Sequence, residues 1–396
     1  MKTINEASLK GKKVLIRVDF NLPLDNNLNI TDDSRMTASL PTIKKVIESG
    51  GRAIILSHLG RPKYGFEDKY SLKHLVKRLS ELLKTNVLFS NDCIGIKTSE
   101  DIDKMKNSQV IILENLRFYS EETSGGELFA EKLSQLGDLY INDAFGTAHR
   151  NHASTSILPS FFPQKKYFGL LLTQEILSLK RVLYKPKRPF TAIIGGAKIS
   201  GKIDVISSLF DKVDNMIIGG GMAYTFIKAM GGEIGSSIFE EEKVVLAKKL
   251  INDAKNKNVN LILPTDSLNA ESFHNKANVK KSNILEISHN YMGMDIGPDS
   301  IKQFSKIISL SKTIIWNGPM GVFEMENFEC GTKKIAEAVS HSTEQGAFSL
   351  IGGGDSIAAA KKFKVLDKVS YISTGGGAML KYLEGGLLPA VSAIMD

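Results

Sequence analysis

The first half of the chain carries histidine and arginine side chains in short loops, where they could bind an anion. The planar guanidinium of arginine pairs its N–H groups with the oxygens of a phosphate or a carboxylate. Cations placed in this way predict a site for a small anionic substrate. The side chains concerned are Arg17, Arg35, His58, Arg61, Arg117, His149 and Arg150.

Two pairs of residues in this half suggest different chemistry. Asp19 and Asn21 follow a predicted strand one pleat apart, so both would point the same way and accept hydrogen bonds from a substrate hydroxyl. His149 and His152 could instead ligate a metal, although they lack an i, i+4 spacing and a neighbouring cysteine or carboxylate. We therefore favour an anion clamp, with a metal site as the alternative.

The second half carries runs of glycines instead. Backbone N–H groups in such runs can close on phosphate oxygens where a helix begins, which predicts a nucleotide site. Asp355 could hold a magnesium ion that bridges the phosphates, although Asp355 or Ser356 could also simply cap the helix. The runs are Gly195-Gly196, Gly219-Gly220-Gly221, Gly352-Gly353-Gly354 and Gly375-Gly376-Gly377.

The segment from Gly196 to Ile203 matches a phosphate-binding loop only in part. It reads G-x-x-x-x-G-K, but Ile203 stands where a serine or threonine should bind magnesium. Lys198 and Lys202 are four residues apart, so they share one face if a helix starts here. Two like charges side by side are unfavourable without an anion between them, so we expect phosphate binding there.

Short apolar strands alternate with amphipathic helical patterns along the whole chain. Strands that are apolar on both faces, with helices between them, predict parallel sheets covered on both sides. The motifs follow the strands directly, at the sheet edge where such folds bind ligands. A helix over Thr173–Tyr184, followed by Pro186 and Pro189, predicts a domain boundary. The predicted strands are Val14–Val18, Ala53–Leu56, Val87–Phe89, Val110–Leu113, Leu139–Asn142, Thr191–Ile194, Met216–Ile218, Leu261–Leu263, Thr313–Trp316, Phe348–Ile351 and Val369–Ser373.

The composition excludes several classes of protein. A chain of 396 residues with 42% apolar residues is too long for one ordinary core and too apolar to be disordered. The net charge of +8 includes no basic tail, so we expect no nucleic-acid partner. Cys93 and Cys330 give no disulfide framework, which favours a reducing compartment. Without a secretion signal or the roughly 20 apolar residues of a membrane helix, we expect a cytoplasmic protein and no membrane association.

Jointly, the motifs closely resemble those of the phosphoglycerate kinase family, in the family's order and along essentially the whole chain. The segments that carry the resemblance are RVDFNLP, SHLGRP, ENLRF, DAFGTAHR, GGAK, WNGPMGVFE, GGGDS and STGGGA. The resemblance implies an α/β fold of two doubly wound parallel-sheet, Rossmann-like lobes joined by a connecting helix and hinge. It also implies a monomer that uses Mg²⁺ and transfers a phosphoryl group reversibly between 1,3-bisphosphoglycerate and ADP, giving 3-phosphoglycerate and ATP in glycolysis.

The resemblance also divides the chain. It implies an N-terminal lobe for 3-phosphoglycerate over residues 1–170, a connecting helix and hinge over 171–188, and a C-terminal lobe for the Mg-nucleotide over 189–379. The remaining residues, 380–396, would form a tail that packs back on the first lobe.

Carried over onto this sequence, the resemblance gives each motif residue a role. Asp355 would hold the metal, Arg35 would reach the reacting carboxyl end, and Glu324 would bind the ribose. The substrate-binding residues would be Asp19, Asn21, Arg35, His58, Arg61, Arg117, His149 and Arg150, and the catalytic residues Arg35, Lys198 and Lys202. The nucleotide-binding residues would be Lys202, Gly219, Gly220, Gly293, Asn317, Glu324, Gly353, Gly354, Asp355 and Ser356, and the helix start at the transferring phosphate Gly375, Gly376 and Gly377.

Three positions depart from the family's pattern. Gly201 stands between the two lysines where the family commonly has aspartate, which removes a negative charge and adds backbone freedom. Gly386 replaces a common lysine in the tail, and Asn151 replaces a small residue. The resemblance assigns no role to any of the three.

Two other functional classes fit the sequence less well. A doubly wound dehydrogenase should carry G-x-G-x-x-G after a strand, and this motif does not occur. A nucleic-acid-binding module should place aromatic residues along a basic stripe, and that pattern is missing too.

Overall fold

The apolar runs form two parallel sheets in the computed structural model, which describes residues 1–395. Each sheet is the centre of one compact unit. The first unit comprises Met1–Leu177 together with the C-terminal segment from Leu387, and the second comprises Ser178–Gly386.

The sheet of the first unit contains six parallel strands: β1 (Lys13–Arg17), β2 (Arg52–Leu56), β3 (Val87–Ser90), β4 (Val110–Leu113), β5 (Leu139–Asn142) and β6 (Lys166–Phe168). Their order is β3-β4-β2-β1-β5-β6, so the winding direction reverses between β1 and β5. Val14 and Ile16 pack in the core with Ile43, while Leu15 is buried on the opposite face. This burial on both faces explains the continuous apolar runs.

Helices follow these strands along the chain, and the last of them, after β6, leads into the second unit. They are α1 (Ser34–Glu48), α2 (Val76–Leu83), α3 (Ile96–Asp103), α4 (Ser120–Ser124), α5 (Glu127–Ser134) and α6 (Leu170–Tyr184). The division between the units falls within α6, between Leu177 and Ser178. The predicted connecting segment began at residue 171, and the helix itself begins at Leu170.

The second unit has a six-stranded parallel sheet of the same kind, with the order β10-β8-β7-β15-β16-β17. The winding reverses between β7 and β15, beside the fully buried Trp316. A three-stranded antiparallel sheet (β12-β11-β14) and a two-stranded sheet (β13-β9) are added to it. In chain order the strands of this unit are β7 (Phe190–Ile194), β8 (Asn215–Ile218), β9 (Glu233–Ile234), β10 (Asn260–Ile262), β11 (Asp266–Ala270), β12 (Val279–Asn283), β13 (Glu286–Ile287), β14 (Met292–Ile296), β15 (Thr313–Asn317), β16 (Phe348–Ile351) and β17 (Tyr371–Ile372).

The helices of the second unit follow the strands of its large sheet or link the smaller sheets to it. They are α7 (Ile203–Leu209), α8 (Met222–Ala229), α9 (Val244–Asn256), α10 (Pro298–Leu310), α11 (Cys330–Glu344), α12 (Gly354–Lys362) and α13 (Gly376–Leu383). The last helix, α14 (Pro389–Met395), belongs to the first unit.

The predicted α/β class with two doubly wound parallel sheets is confirmed. Each predicted strand coincides with a strand of a large sheet to within two residues at either end. Strand β6 and the antiparallel sheet were not predicted. The structure assigns residues up to Gly386 to the second unit, whereas the sequence-based division began the tail at residue 380; α13 packs against α7 of the second unit.

Candidate functional site

The loops after β2, β4 and β5 form a basic cavity in the first unit. The cavity has a volume of about 840 Å³ and is lined in part by Arg61, Arg117, Arg150 and His152. We call it the clamp cavity. Parallel strands end at one edge of a sheet, which is why segments distant in sequence meet there.

The clamp cavity concentrates positive charge. No carboxylate of residues 1–395 lies within ion-pair distance of Arg61, Arg117 or Arg150. Burial lowers the pKa of Arg117 to about 10, and the nearby Arg150 and Arg17 contribute to this shift. Burial, followed by Arg17 and Arg117, lowers the pKa of His152 to about 3. The lowered pKa values show that this environment disfavours further positive charge. The same environment favours the binding of an anion.

Several buried nitrogen atoms of this region have no hydrogen-bond partner among the described residues: Arg117 Nε, His149 Nδ1 and His152 Nδ1. His149 is half-buried, and burial and the neighbouring Arg150 lower its pKa. Arg150 Nε lies 3.3 Å from His149 Nε2. Buried polar groups without partners in the protein are rare, so their clustering here favours a polar ligand.

A second group lies beyond the end of β1. Arg35 Nη1 lies 3.3 Å from Asp19 Oδ2 and 3.2 Å from the backbone oxygen of Asn21. The N–H of Asn21 donates to Asp19 Oδ1 at 3.2 Å. Because β1 ends at Arg17, the expectation of a strand pleat relating Asp19 and Asn21 is wrong; a local turn and Arg35 bring them together instead.

Gly60 joins the two groups. Its N–H donates to Asn21 Oδ1 at 2.8 Å, and its carbonyl oxygen accepts from Arg117 Nη1 at 2.6 Å. Gly60 has a φ of +62°, and a Cβ there would overlap the ring of Tyr70, so the turn requires glycine. His58 is buried beside this turn, with Nδ1 at 4.0 Å from Asp19 Oδ1, and it does not line the clamp cavity.

In the second unit, an apolar pocket of about 350 Å³ opens among the glycine turns. We call it the apolar pocket. Two exposed carboxylates, Glu324 and Asp355, contribute to a lining that is otherwise mainly apolar or glycine backbone. Gly196, Gly220 and Gly293 also line it. An apolar pocket with carboxylates in its lining is suited to a ring system that carries hydroxyl groups.

Sequence reasoning missed most of the apolar walls: Tyr224, Ile238, Phe273, Met292, Met320 and Val322. The one signal in the sequence was Phe273, a large apolar residue that stands alone in a polar segment. Its exposed fraction in the structure is 64%. Gly293 is required because a Cβ there would overlap the hydroxyl of Tyr224. Gly219 packs against Met320 and does not line the apolar pocket, whereas Gly220 does.

Two helix starts lie next to each other near the apolar pocket. α12 begins at Gly354 and α13 at Gly376, and a Cβ on Gly376 would lie 3.0 Å from the Cα of Gly353. Gly377 lies in the first turn of α13. The adjacent N-termini combine two sets of free backbone N–H groups and two positive dipole ends, an arrangement that favours phosphate.

Asn317 and Ser356 hold the backbone around these helix starts. Asn317 Nδ2 donates to the carbonyl oxygen of Gly352 at 2.7 Å. Ser356 Oγ accepts from the N–H of Gly318 at 2.6 Å. Both residues are buried, so their side chains position the turns, while Asp355 is exposed.

The two candidate lysines do not share a helix face, and that expectation is wrong. Residues 196–202 form bends and turns, and α7 begins only at Ile203. Lys202 is largely buried, and its Nζ donates to the backbone oxygens of Gly195 and Asn317 at 2.7 and 2.9 Å. Burial lowers the pKa of Lys202 to about 8, against the opposing effect of Asp355. Lys198 is exposed.

Glu240 holds the turn between the lysines. Its Oε2 accepts from the N–H of Ser200 at 3.0 Å. A Cβ on Gly201 would meet no atom within 4 Å, so the position has room for a side chain. The glycine at position 201 is therefore not a steric requirement.

Residues 1–395 contain neither a ready-made cluster of metal ligands nor a helix suited to a membrane. No group of three or more histidine, cysteine, aspartate or glutamate side chains is placed to hold a metal ion, and His149 and His152 therefore gain no support as ligands. None of the helices combines the length and apolar character that spanning a membrane requires.

Comparison with known proteins gives one consistent result. The family model for phosphoglycerate kinase matches residues 4–386. The phosphoglycerate kinase of Porphyromonas gingivalis is 49% identical over 99% of this chain and 99% of its own. Cytosolic phosphoglycerate kinase 3 of Arabidopsis thaliana is 50% identical over 99% of this chain and 97% of its own. The solved structure of phosphoglycerate kinase from Coxiella burnetii superposes with a TM-score of 0.90 at 40% identity, over 99% of this chain and 98% of that one.

Proposed function

Because this chain belongs to the phosphoglycerate kinase family, we propose that its two units bind the two substrates of the family's reaction separately. That reaction is the reversible transfer of a phosphoryl group between 1,3-bisphosphoglycerate and ADP, a step of glycolysis. In the proposal, the first unit binds the phosphoglycerate and the second binds the nucleotide.

One observation carries the first assignment: Arg61, Arg117 and Arg150 lie at the clamp cavity without a carboxylate partner among the described residues. A non-transferring phosphate supplies the missing anion, and arginine forks match its oxygens. Asp19 and Asn21 would hold the glycerate hydroxyl, with His58 and His149 beside them. Arg35 would extend to the reacting carboxyl end.

The second assignment depends on the apolar pocket and on the two helix starts. Gly220 and Gly293 line the pocket that would take the adenine ring, and Glu324 would accept hydrogen bonds from the ribose. The N–H groups of Gly353, Gly354, Gly376 and Gly377 would face phosphate oxygens. The N–H of Gly375 donates to Ser373 Oγ at 3.4 Å, so Gly375 would shape the helix start instead. Gly219, Asn317 and Ser356 would act indirectly, by holding these turns in place.

The chemistry requires no general base. A carboxylate acceptor has a reference pKa near 4 and is already ionised at neutral pH. The remaining work is to align the reactants and to neutralise charge on the migrating phosphoryl group. Lys202, Lys198 and Arg35 would supply positive charge, and the helix starts would supply oriented N–H groups.

The donor set fits a magnesium ion that is bound together with the nucleotide. Magnesium binds through one or two carboxylates plus substrate phosphates, and Asp355 presents an exposed carboxylate at the apolar pocket. Asp355 would therefore hold the ion. When bound, it would neutralise phosphate charge during transfer.

We further propose a cytoplasmic monomer whose connecting segment, residues 171–188, acts as a hinge. Sedimentation at micromolar concentrations tests the monomer, which should sediment at the chain's own mass. Helix α14, whose N-terminus bonds to Ala148 O through Ala390 at 3.2 Å, supports a tail that packs on the first unit.

A coupled assay for ADP formation from ATP and 3-phosphoglycerate tests the function. Turnover should require both substrates and magnesium. Arg117→Met should raise the KM for 3-phosphoglycerate at least tenfold and leave the KM for ATP nearly unchanged. The matched control is Arg78→Met, because Arg78 forms only partly exposed ion pairs with Asp33 and Glu81. Equal effects of the two substitutions would contradict the clamp assignment.

A further inference from the structure

Arg17 opens the RVDFNLP motif, yet it is not a ligand in the clamp cavity. Its side chain is 0% exposed and does not line that cavity. Arg17 Nε donates to Ser154 Oγ at 2.7 Å, and Nη1 donates to the carbonyl oxygen of Val18. The guanidinium of Arg17 therefore bonds to protein atoms and not to a ligand in the cavity.

Glu122 is the counter-charge. Glu122 is also 0% exposed, and its Oε1 lies 3.8 Å from Arg17 Nη2. The carboxylate accepts from the N–H and the hydroxyl of Ser154 at 2.9 and 2.7 Å. A buried carboxylate with these bonds fixes the guanidinium in place, because displacing either partner would leave a buried charge unpaired.

The remaining contact of Arg17 is with the buried His58. Arg17 Nη2 lies 3.3 Å from His58 Nδ1. A guanidinium has only donors, so the nitrogen that faces it must accept. His58 Nδ1 therefore presents a lone pair, and the ring carries its single proton on Nε2.

We infer that Arg17, held by Glu122, is a positioning residue that fixes His58 as the neutral Nε2–H tautomer, so that the ring beside Asp19 is an uncharged hydrogen-bond donor. The inference deepens the proposed function and rests on it for the identity of the substrate. A neutral His58 then adds nothing to the positive charge of the clamp cavity, which Arg61, Lys63, Arg117 and Arg150 supply.

The surroundings of His58 support a neutral ring. Burial lowers the pKa of His58 well below 6.5, and the neighbouring cations lower it further. Asp19 opposes this effect, with Oδ1 at 4.0 Å from His58 Nδ1. The charged or titratable groups that face His58 are Arg17, Arg117, His152, Arg150 and Asp19.

Nitrogen NMR on the ligand-free, histidine-labelled protein tests the inference directly. Two-bond proton–nitrogen correlations distinguish the two neutral tautomers from the imidazolium, and the loss of one pattern in His58→Asn identifies His58. We expect the Nε2–H pattern to persist from pH 8 to pH 5.5. An Nδ1–H pattern, or an imidazolium at pH 6, would overturn the inference.

Two variants separate the role of Arg17 from that of its counter-charge. Arg17→Met combined with Glu122→Gln removes both buried charges, so His58 should titrate nearer its ordinary pKa of about 6.5. Glu122→Gln alone keeps the donor, so His58 should remain the Nε2–H tautomer. A His58 pattern that is identical in all three proteins would overturn the role of Arg17.

A kinetic measurement connects the tautomer to the reaction. In the double variant, a protonated His58 should add an acid-dependent component to the KM for 3-phosphoglycerate that the unmodified protein lacks. The KM of the double variant, divided by the KM of the unmodified protein, should therefore change severalfold between pH 8 and pH 5.5. A constant ratio would count against an effect of the His58 charge on substrate binding. The NMR readout needs no turnover, so the inference and the proposed function can fail independently.

Discussion

Lys202 is a lysine whose ammonium group has carbonyl oxygens as its close partners, Gly195 O and Asn317 O. These dipoles hold the ammonium group in place without neutralising it, so its charge remains available to a phosphoryl group. Lys202→Met should keep the fold and lower kcat by about 10²–10³, the effect of losing one positioned charge donor. Steady-state kinetics and circular dichroism check both parts. Lys248→Met on α9, with an exposed side chain, is the control and should keep full turnover.

The same lysine should give the reaction an alkaline limit. Burial lowers the pKa of Lys202 to about 8, so the free enzyme loses this charge as the pH rises through that value. Because kcat/KM reports the free enzyme, kcat/KM for ATP should fall about tenfold per pH unit above pH 8. The decline should be absent from the low residual activity of Lys202→Met. A flat kcat/KM profile of the unmodified protein between pH 7 and pH 9.5 would show that this charge is not required.

At the scale of elements, Asp295 ties β14 to the start of α11. Oδ1 accepts from the N–H of Ile296 at 2.9 Å and Oδ2 from the N–H of Gly331 at 2.6 Å. Burial raises the pKa of Asp295 to about 7, well above its value in the unfolded chain. Its stabilising contribution is therefore complete below about pH 4 and is lost as the pH rises to 7.

Asp295→Asn should reveal this pH dependence because asparagine does not titrate. The free energy of unfolding of the variant, relative to the unmodified protein, should rise by about 1.4 kcal/mol per pH unit between pH 4 and pH 7. Urea unfolding followed by the fluorescence of Trp316, the single tryptophan of the chain, reports the second unit. The exposed Asp367→Asn is the control. A difference independent of pH would refute the predicted shift.

Residues 196–202, which we call the lysine turn, contain an unusual glycine at position 201. Gly201 has open space at its Cβ position and no positive φ, so alanine fits there without strain. Gly201→Ala should raise the free energy of unfolding by about 0.4–1 kcal/mol, because it restricts the unfolded chain. Thermal unfolding measures the change. If the flexibility of this turn limits the positioning of Lys202, kcat should rise as well; a destabilised variant would show that the turn needs glycine.

The sequence predicted elements better than it predicted local geometry. The strands were readable because burial on both faces gives continuous runs such as Val110–Leu113. The lysine turn was misread because the spacing of Lys198 and Lys202 suits a helix, whereas bonds to Gly195, Asn317 and Glu240 hold an irregular turn. Those partners are distant in sequence, so no local pattern reveals them.

The same reason limited prediction of the candidate site. Motifs located Arg61, Arg117 and Asp355, whose residue types and neighbours are distinctive. They could not show that Arg17 is buried against Glu122, since a motif gives the identity of a residue and not its exposure. The walls of the apolar pocket were missed because ordinary apolar residues look the same in a core and in a binding pocket.

At the scale of the whole molecule, the proposed function assigns the two substrates to different units. Direct transfer requires both reactants in one place with water excluded, because separated groups cannot react and an exposed phosphoryl group would be hydrolysed. We therefore expect a conformational change when both substrates are bound. When only one substrate is bound, the second substrate, which would help to stabilise the reactive arrangement, is missing.

Small-angle X-ray scattering tests this expectation. The radius of gyration should fall when 3-phosphoglycerate and Mg-ADP are both present and should change less with either alone, because a ligand shifts a conformational equilibrium only through its differential affinity for the two states. Arg117→Met, which weakens only the phosphoglycerate site in our proposal, should shift the response to higher 3-phosphoglycerate concentrations while leaving its dependence on nucleotide nearly unchanged. Identical profiles with and without both substrates would mean that transfer proceeds without such a change, and residues 171–188 would then have no role as a hinge.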